Sequence, residues 1–251
     1  MENINKRFLG VILDIAEAML NCGAEIDRVE GTVMRMAKAY GAERVNVFAI
    51  TSSIVVTLIM PDGEARTETR RVQSSGTTNF KQLEELNKIS REYCSEKFSV
   101  NELEKRFKET DKPISSAKYY VGSVIAAAAF TVFFGGTLLD SAFAAVFAIL
   151  ICLFSAVSPK FCPNQIVSKF LCSLAIGIII CAVCRAFPWL NADKIIIGDI
   201  MLLIPGIALT NSFRNLIIGD TVSGLTRLTE SLVQAASLAG GFMIAIALLG
   251  G

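Results

Sequence analysis

No histidine occurs anywhere in the 251 residues. The commonest general base and the commonest metal ligand are therefore missing, which excludes a Ser-His-Asp or Cys-His mechanism and any His-ligated zinc centre. Any side-chain proton carrier has to be a carboxylate. Charge is scarce as well, but only in part of the chain. Residues 1–118 hold 18 Lys/Arg and 18 Asp/Glu, whereas residues 119–251 hold 6 basic and 5 acidic residues. A water-facing surface needs more polar cover than the second part possesses, so a single soluble enzyme is excluded. The net charge of +1, with neither part markedly basic, excludes nucleic acid as a partner. The seven cysteines are odd in number, scattered and mostly inside apolar runs, unlike a secreted disulfide framework. Cys181 and Cys184 form a lone CxxC and read as two small residues on one face of a membrane helix. No Gly-rich phosphate loop, metal-ligand cluster or nucleophile elbow is present, so no cofactor, metal or enzyme activity is indicated.

What the first part does contain is a regular alternation of periods. Ile4, Phe8, Val11, Ile12, Ile15 and Met19 recur at helical spacing, and Gly23 suits the position just past the helix end. A second helix is predicted from about Ile26 to Tyr40, with Asp27 and Glu30 as its capping box and Gly41 as its stop. The period then becomes that of strands. Val45–Thr51 and Ile54–Met60 flank a hairpin at Ser52-Ser53, and Pro61-Asp62-Gly63 turns the chain into Ala65–Val72. Helical patterns follow over Phe80–Phe98 and from Val100 to about Thr110. The order ααβββαα predicts a compact α+β domain over residues 1–112.

From residue 113 onward an all-α polytopic membrane domain is expected. Five spans are predicted, at about 119–139, 141–159, 169–190, 195–213 and 229–250. With the N-terminal domain in the cytoplasm, the inner flanks carry Lys112, Lys118, Lys160, Lys169, Arg214 and Arg227, and the outer flanks carry Arg185 and Lys194. That bias favours a cytoplasmic N-terminus.

Polar groups within the apolar sequence mark candidate functional positions, because an ionisable group at membrane depth costs about 2.5–3.5 kcal/mol on the insertion scale unless it faces protein or water. Pro205 removes a backbone donor and frees the carbonyl of Met201; Gly206 adds flexibility. A helix restarting there presents N–H groups to an anion such as a carboxylate. Thr210, Asn211 and Arg214 follow, with Asn211 and Arg214 on one face. This segment is either a substrate path or a proline kink with its polar groups at a headgroup boundary. Asp199 is either a proton relay or the cap of the fourth span near the outer interface. Asp220 either caps the next helix or serves as a proton carrier at the mouth, and Arg227 and Glu230 are a gate or a surface pair. In the soluble domain Glu25 and Arg28 are not required by the helix start that explains Asp27 and Glu30. Thr67, Thr69 and Arg71 alternate onto one strand face that meets either Glu25 or Glu30, or solvent.

Three stretches, GAEIDRVEGTVMRMAKAYG, TRRV and LLIPGIALTNSFRNLIIGDTVSGLTRL, occur in an order that resembles the threonine/serine exporter family. The likeness covers almost the whole chain and is strongest to the shorter, YjjP-like members, which have a soluble domain and about five spans. The resemblance implies a secondary exporter in the cell (inner) membrane for small carboxylate-bearing metabolites, threonine and serine or, for the short branch, succinate, coupled to the proton-motive force. It implies a second, small YjjB-like membrane subunit, or a homo-oligomer, because longer members carry a further membrane half. The family motifs fall on Pro205-Gly206, Thr210-Asn211, Gly23-Ala24-Glu25, Arg28-Val29-Glu30 and the Arg70-Arg71 pair. The alternative is a membrane-anchored regulatory or assembly subunit whose soluble domain binds a metabolite or a protein. A membrane hydrolase, lacking histidine, would need a carboxylate mechanism that Glu25 and Glu30 do not specifically suggest.

Overall fold

A computed structural model of the chain describes residues 2–72, 78–110, 116–162 and 164–249. The first seven elements are α1 (Glu2–Asn21), α2 (Ile26–Tyr40), β1 (Arg44–Ile50), β2 (Ser53–Ile59), β3 (Ala65–Arg71), α3 (Phe80–Glu96) and α4 (Val100–Thr110). Six helices follow: α5 (Ser116–Phe133), α6 (Leu138–Phe161), α7 (Gln165–Ala186), α8 (Ala192–Leu203), α9 (Gly206–Ile218) and α10 (Thr221–Leu249). The chain divides into two compact units, Met1–Pro113 with Asn211–Arg227, and Ile114–Thr210 with Leu228–Gly251.

In the first unit the strands form an antiparallel sheet of order β1-β2-β3. Ile50 pairs with Ser53, so the hairpin turns at Thr51-Ser52, one residue earlier than the composition suggested. The central strand buries Ile54, Val56 and Leu58, every second residue, as a sheet with one covered face requires. That face packs against α1, whose Phe8, Ile12, Ile15 and Met19 are fully buried. The Phe8 ring stacks on Tyr40 at 3.9 Å between centroids and also meets Tyr93, joining α1, α2 and α3 in one core. Gly23 and Gly41 both adopt left-handed backbone, with φ of 92° and 112°. At each, the following residue's N–H reaches back to close the helix: Ala24 to the Met19 carbonyl and Ala42 to that of Ala37.

The predicted capping box of α2 does not form. Glu25 occupies the cap position without a side-chain cap bond, and the Glu30 carboxylate instead accepts the Ala49 N–H of β1 at 2.7 Å. A backbone donor at the start of the β1–β2 turn needs a partner, and Glu30 is one turn into the helix facing it.

All five apolar segments are helical, but five full spans are not present among the described residues. Three helices, α6, α7 and α10, are long and apolar enough to cross a membrane singly, and α8 and α9 make a fourth only when taken as one span bent by 58°. α5 has 18 residues. At 1.5 Å per residue it extends roughly 27 Å, at the lower limit for crossing a hydrocarbon core of about 30 Å. Three helices, or four with the bent pair, are thus the candidate crossings by length and composition among the described residues, against the five expected. α7 ends at Ala186, where the Phe187 N–H closes the last turn on the Val183 carbonyl ahead of Pro188, and α10 begins at Thr221, earlier than the composition indicated.

Close backbone approaches hold the second unit together. α5 packs on α6 and α8, and a Cβ on Gly198 of α8 would meet Thr131 Oγ1 and lie 3.0 Å from the Ala127 carbonyl of α5. α7 and α10 cross at Gly177 and Gly241. Small residues at helix crossings are what packing in an apolar solvent calls for, since burial of apolar area gives no advantage there. The outer faces of α6 and α10 leave Val146, Leu153, Leu232, Met243 and Leu248 exposed, as lipid contact requires.

Gly240 and Gly241 separate packing from helix propensity. A Cβ on Gly241 would stand 2.7 Å from the Phe170 carbonyl oxygen and 2.9 Å from the Leu174 nitrogen, backbone atoms that cannot yield, whereas the nearest atom to one on Gly240 is 3.8 Å away. Gly241→Ala is expected to lower the thermal midpoint of the detergent-solubilised protein, and Gly240→Ala to leave it unchanged or raise it, because Ala favours a helix over Gly by about 1 kcal/mol. Equal midpoints for the two variants would refute this reading of the crossing.

Candidate functional site

The second unit contains one carboxylate in a position that its surroundings do not explain. Asp199 is the eighth residue of α8, well inside the helix rather than at its start, where Asn191 sits at the cap position. Its side chain is wholly buried, and neither Oδ1 nor Oδ2 has a hydrogen-bond partner among the described residues. Ile195, Ile196 and Gly198 around it are buried too. A buried ionised carboxylate without a partner is costly, so this position demands a proton, a cation or a ligand group.

Six residues further on, the helix breaks. Ile204 turns extended, with φ −63° and ψ 131°, and the Gly206 N–H bonds the Ile204 carbonyl at 2.8 Å instead of continuing the ladder. α9 restarts at Gly206, with the Leu209 N–H donating to the Pro205 carbonyl. The break leaves carbonyls at the end of α8 needing partners. One of them, Leu203, accepts the Lys169 ammonium of α7 at 3.3 Å, and the same Nζ donates to Gln234 Oε1 of α10 at 2.6 Å. Cations suit the C-terminal end of a helix. Thr210 Oγ1 is spent on the Gly206 carbonyl within α9; its side chain is exposed and Asn211 is half-buried.

Two residues that composition did not single out fix this unit. Lys169 figured only in the count of flanking charges. Asp140, lying between two uncharged runs, is fully buried and closes a capping box with Thr137, the pattern Thr-x-x-Asp being the signal for it. The same carboxylate accepts the Asn191 backbone N–H at 2.8 Å and its amide Nδ2 at 2.9 Å. One acid thereby ties the α5–α6 corner to the start of α8.

In the first unit the structure brings Arg214 to Glu25, whose carboxylate its Nη1 contacts as an ion pair. Arg28 Nε stands 3.5 Å from the other Glu25 oxygen but is largely exposed. Asp220 caps α10 by accepting the Ser223 N–H at 3.3 Å, and the left-handed Gly219 closes α9 as Gly23 closes α1, with the Asp220 N–H on the Asn215 carbonyl. The second Asp220 oxygen, Asn215 Nδ2 and Ser223 Oγ are buried without hydrogen-bond partners among the described residues. Arg227 is half-buried and Glu230 exposed on α10.

The remaining predicted residues separate. Arg70 binds Asp14 at 2.8 Å and lies 3.7 Å from Glu17, both on α1. Thr67, Thr69 and Arg71 point to the exposed face of β3, where Thr67 meets Thr57 at 2.8 Å. That face is thus on the solvent side and does not meet Glu25 or Glu30. Cys181 and Cys184 are free thiols, and no cluster suited to a metal ion occurs among the described residues.

A family model described as "Putative threonine/serine exporter" matches residues 10–249 of the chain. No curated protein and no solved structure matches it.

The Glu30 carboxyl is raised above its usual 4.5, first by burial and then by Asp27 and Asp220, with the Ala49 N–H opposing. A carboxyl whose folded value exceeds its unfolded value stabilises the fold at low pH, and that contribution is lost as pH rises from about 4.5 through the raised value. Glu30→Gln keeps an acceptor for Ala49 and has no titration. The variant should match the wild type near pH 4 and become the more stable of the two towards pH 7, as read by thermal midpoints at fixed pH. Parallel pH profiles would show that Glu30 is not the group responsible.

Proposed function

The chain belongs to the threonine/serine exporter family, and on that premise we propose that it is a subunit of a secondary exporter moving small carboxylate-bearing metabolites outward through the broken α8–α9 helix. The family and the apolar helices make it a multi-pass membrane protein. In this reading the first unit faces the cytoplasm, in keeping with the Lys/Arg distribution of the flanks, and the membrane is the inner one. The substrates are threonine/serine-type amino acids or succinate-type dicarboxylates.

The observation that carries the proposal is the Asp199 carboxylate, buried with both oxygens unpartnered six residues before the Pro205 break. With no histidine in the chain, a carboxylate is the available proton carrier. Protonated, Asp199 is neutral and tolerated in an apolar bundle; ionised, it requires water or a counter-charge. Alternating exposure of this one group to the two sides couples proton movement to substrate movement. The opened helix supplies the other half of the site. The Ile207 and Ala208 N–H groups lie in the first turn of α9, where a substrate carboxylate is favoured over water. Lys169, holding the Leu203 carbonyl, steadies the other edge of the break.

Arg214 has a different part in this proposal from that of a free carboxylate receptor. It is occupied by Glu25. A substrate carboxylate arriving from the cytoplasm competes with Glu25 for the guanidinium, so that the ion pair acts as a gate opened by the cargo. Asp220, Arg227 and Glu230 belong to the corner and helix that such a gate moves, and Asn211 offers its amide on the same helix as Arg214. The second small membrane subunit supplies the further half that longer relatives carry in one polypeptide, completing the pathway.

Efflux of labelled threonine, serine and succinate from preloaded cells, with the chain alone and with a small membrane partner, tests the whole reading. The pair is expected to export at least one of them in a manner abolished by a protonophore. Asp199→Asn, which keeps shape and removes titration, is expected to reduce net efflux at least tenfold while the protein still reaches the membrane. Wild-type efflux by Asp199→Asn would reject Asp199 as the carrier, and no efflux of any substrate by the pair would favour a regulatory or assembly subunit.

A further inference from the structure

The first unit holds a pocket that the transport reading does not use. It lies between α2 and α3, has a volume of about 260 Å³, and is lined by Thr32, Arg35, Ser90, Arg91, Cys94 and Ser95. Thr32 and Arg35 are three apart and share a face of α2; Ser90, Arg91, Cys94 and Ser95 occupy successive turns of α3. Thr32 and Ser90 are buried and form the floor, while Arg35, Arg91 and Ser95 are exposed and form the rim. Hydroxyls below and guanidiniums above make a concave surface with its cationic donors at the rim.

The arginines are the informative feature. Several other basic residues on this unit are engaged: Arg7 with Glu104, Arg70 with Asp14, Arg106 with Glu92 and Glu102, and Lys108 with Glu104. Arg35 and Arg91 have no carboxylate partner among the described residues. Arg35 instead donates from Nη2 to Thr32 Oγ1 at 3.2 Å. Its guanidinium folds back along the helix over Gly31, where a Cβ would lie only 3.1 Å from Nη1. Glycine at that position lets the charged head lie flat against α2 instead of extending into water. A side chain as flexible as Arg, placed by a hydroxyl and a glycine gap rather than by an acid, is preorganised for an anion that comes from outside.

The neighbouring acids do not neutralise the pocket. Glu92 follows Arg91 in sequence but is turned towards Arg106, which it contacts at 3.0 Å, with Lys88 at 4.0 Å. The Ser90 and Ser95 hydroxyls donate to the Asn87 and Glu92 carbonyls of their own helix, leaving oxygen lone pairs and no acidic group facing the cavity. Thr32 Oγ1, accepting from Arg35, keeps its own hydrogen for a ligand.

We propose that the α2–α3 pocket binds a small organic anion carrying a carboxylate or phosphate group, through the guanidiniums of Arg35 and Arg91 and the hydroxyl of Thr32. Paired guanidiniums match planar carboxylate and phosphate oxygens bidentately, and the pocket volume suits a metabolite of a few carbons rather than a nucleotide. The site belongs to the first unit, whereas Asp199 and the Pro205 break belong to the other. It gives the soluble unit a ligand of its own, by which an anionic metabolite can report its concentration to an exporter.

Isothermal titration of the detergent-solubilised full chain with inorganic phosphate and, separately, succinate tests the assignment. Saturable binding of one or both is expected, with phosphate alone indicating a phosphoryl ligand and succinate alone a carboxylate one. Arg35→Gln and Arg91→Gln should each weaken that binding at least tenfold, Arg35→Lys less so, and Asp199→Asn should leave it unchanged. Both arginines are exposed, and an unaltered far-UV circular dichroism spectrum verifies that the variants fold. Absence of saturable binding by either anion overturns the proposal. So does binding by both Gln variants as tight as by the wild type, which would place the anion elsewhere, and so does loss of binding in Asp199→Asn, which would place it in the transport path. None of these outcomes depends on efflux, so the exporter reading and this one fail separately.

Discussion

The unpartnered Asp199 carboxylate is the constraint around which the second unit is arranged. An isolated ionised carboxylate in hydrocarbon would take up a proton rather than bear the desolvation cost. Its neighbours hold α8 in place without offering the acid a hydrogen-bond partner among the described residues. Gly198 brings α8 against α5 so closely that no side chain fits between them, Asp140 fixes the start of α8 through Asn191, and Lys169 fixes its end through Leu203. Both ends of a twelve-residue helix are thus tied down by charged side chains from other helices. The acid in the middle is the one charged group on α8's buried face without such a tie.

Helix ends set the geometry elsewhere. Gly23, Gly41, Gly135 and Gly219 all adopt positive φ and all close their helices by the same pair of backbone bonds, with the second reaching from the residue after the glycine to the carbonyl five before it. These four stops turn the chain sharply without leaving carbonyls exposed, a requirement that is stricter in lipid than in water. The break at Pro205 is built differently. One of its carbonyls, that of Leu203, is held by a lysine from another helix rather than by a glycine turn. A helix end held by a side chain can be released by moving that side chain, whereas one held by its own backbone cannot.

How far the sequence revealed this follows from the range of each interaction. Period and stop signals are local, so α2, β3 and α4 were located closely, and Gly23 and Gly41 were identified as helix ends. The break at Pro205 was equally legible because proline acts on its own backbone. Glu30 shows where local reading fails. Its spacing from Asp27 satisfied a capping rule, yet the Ala49 N–H, nineteen residues away, competes for the same oxygen and wins. Arg214 is a similar case, since its partner Glu25 lies 189 residues earlier. The anion pocket needed the packing of α2 on α3 before Arg35 and Arg91 became neighbours. Span count is less legible for another reason: five apolar runs are present, but length and straightness, which bear on whether a run crosses a bilayer alone, depend on where helices start and bend.

The grouping of Asn211–Arg227 with residues 1–113 has a consequence for how the protein is made. Nearly one hundred residues separate the two pieces of this unit, and they include four of the apolar helices. During synthesis the sheet and its helices are complete long before the α9–α10 corner emerges. The first unit therefore exists for a time without its final segment, with Glu25 awaiting Arg214. The last step in assembling it is the return of a membrane-proximal loop, and a defect in inserting the helices between would be felt in a region of the fold that contains none of them.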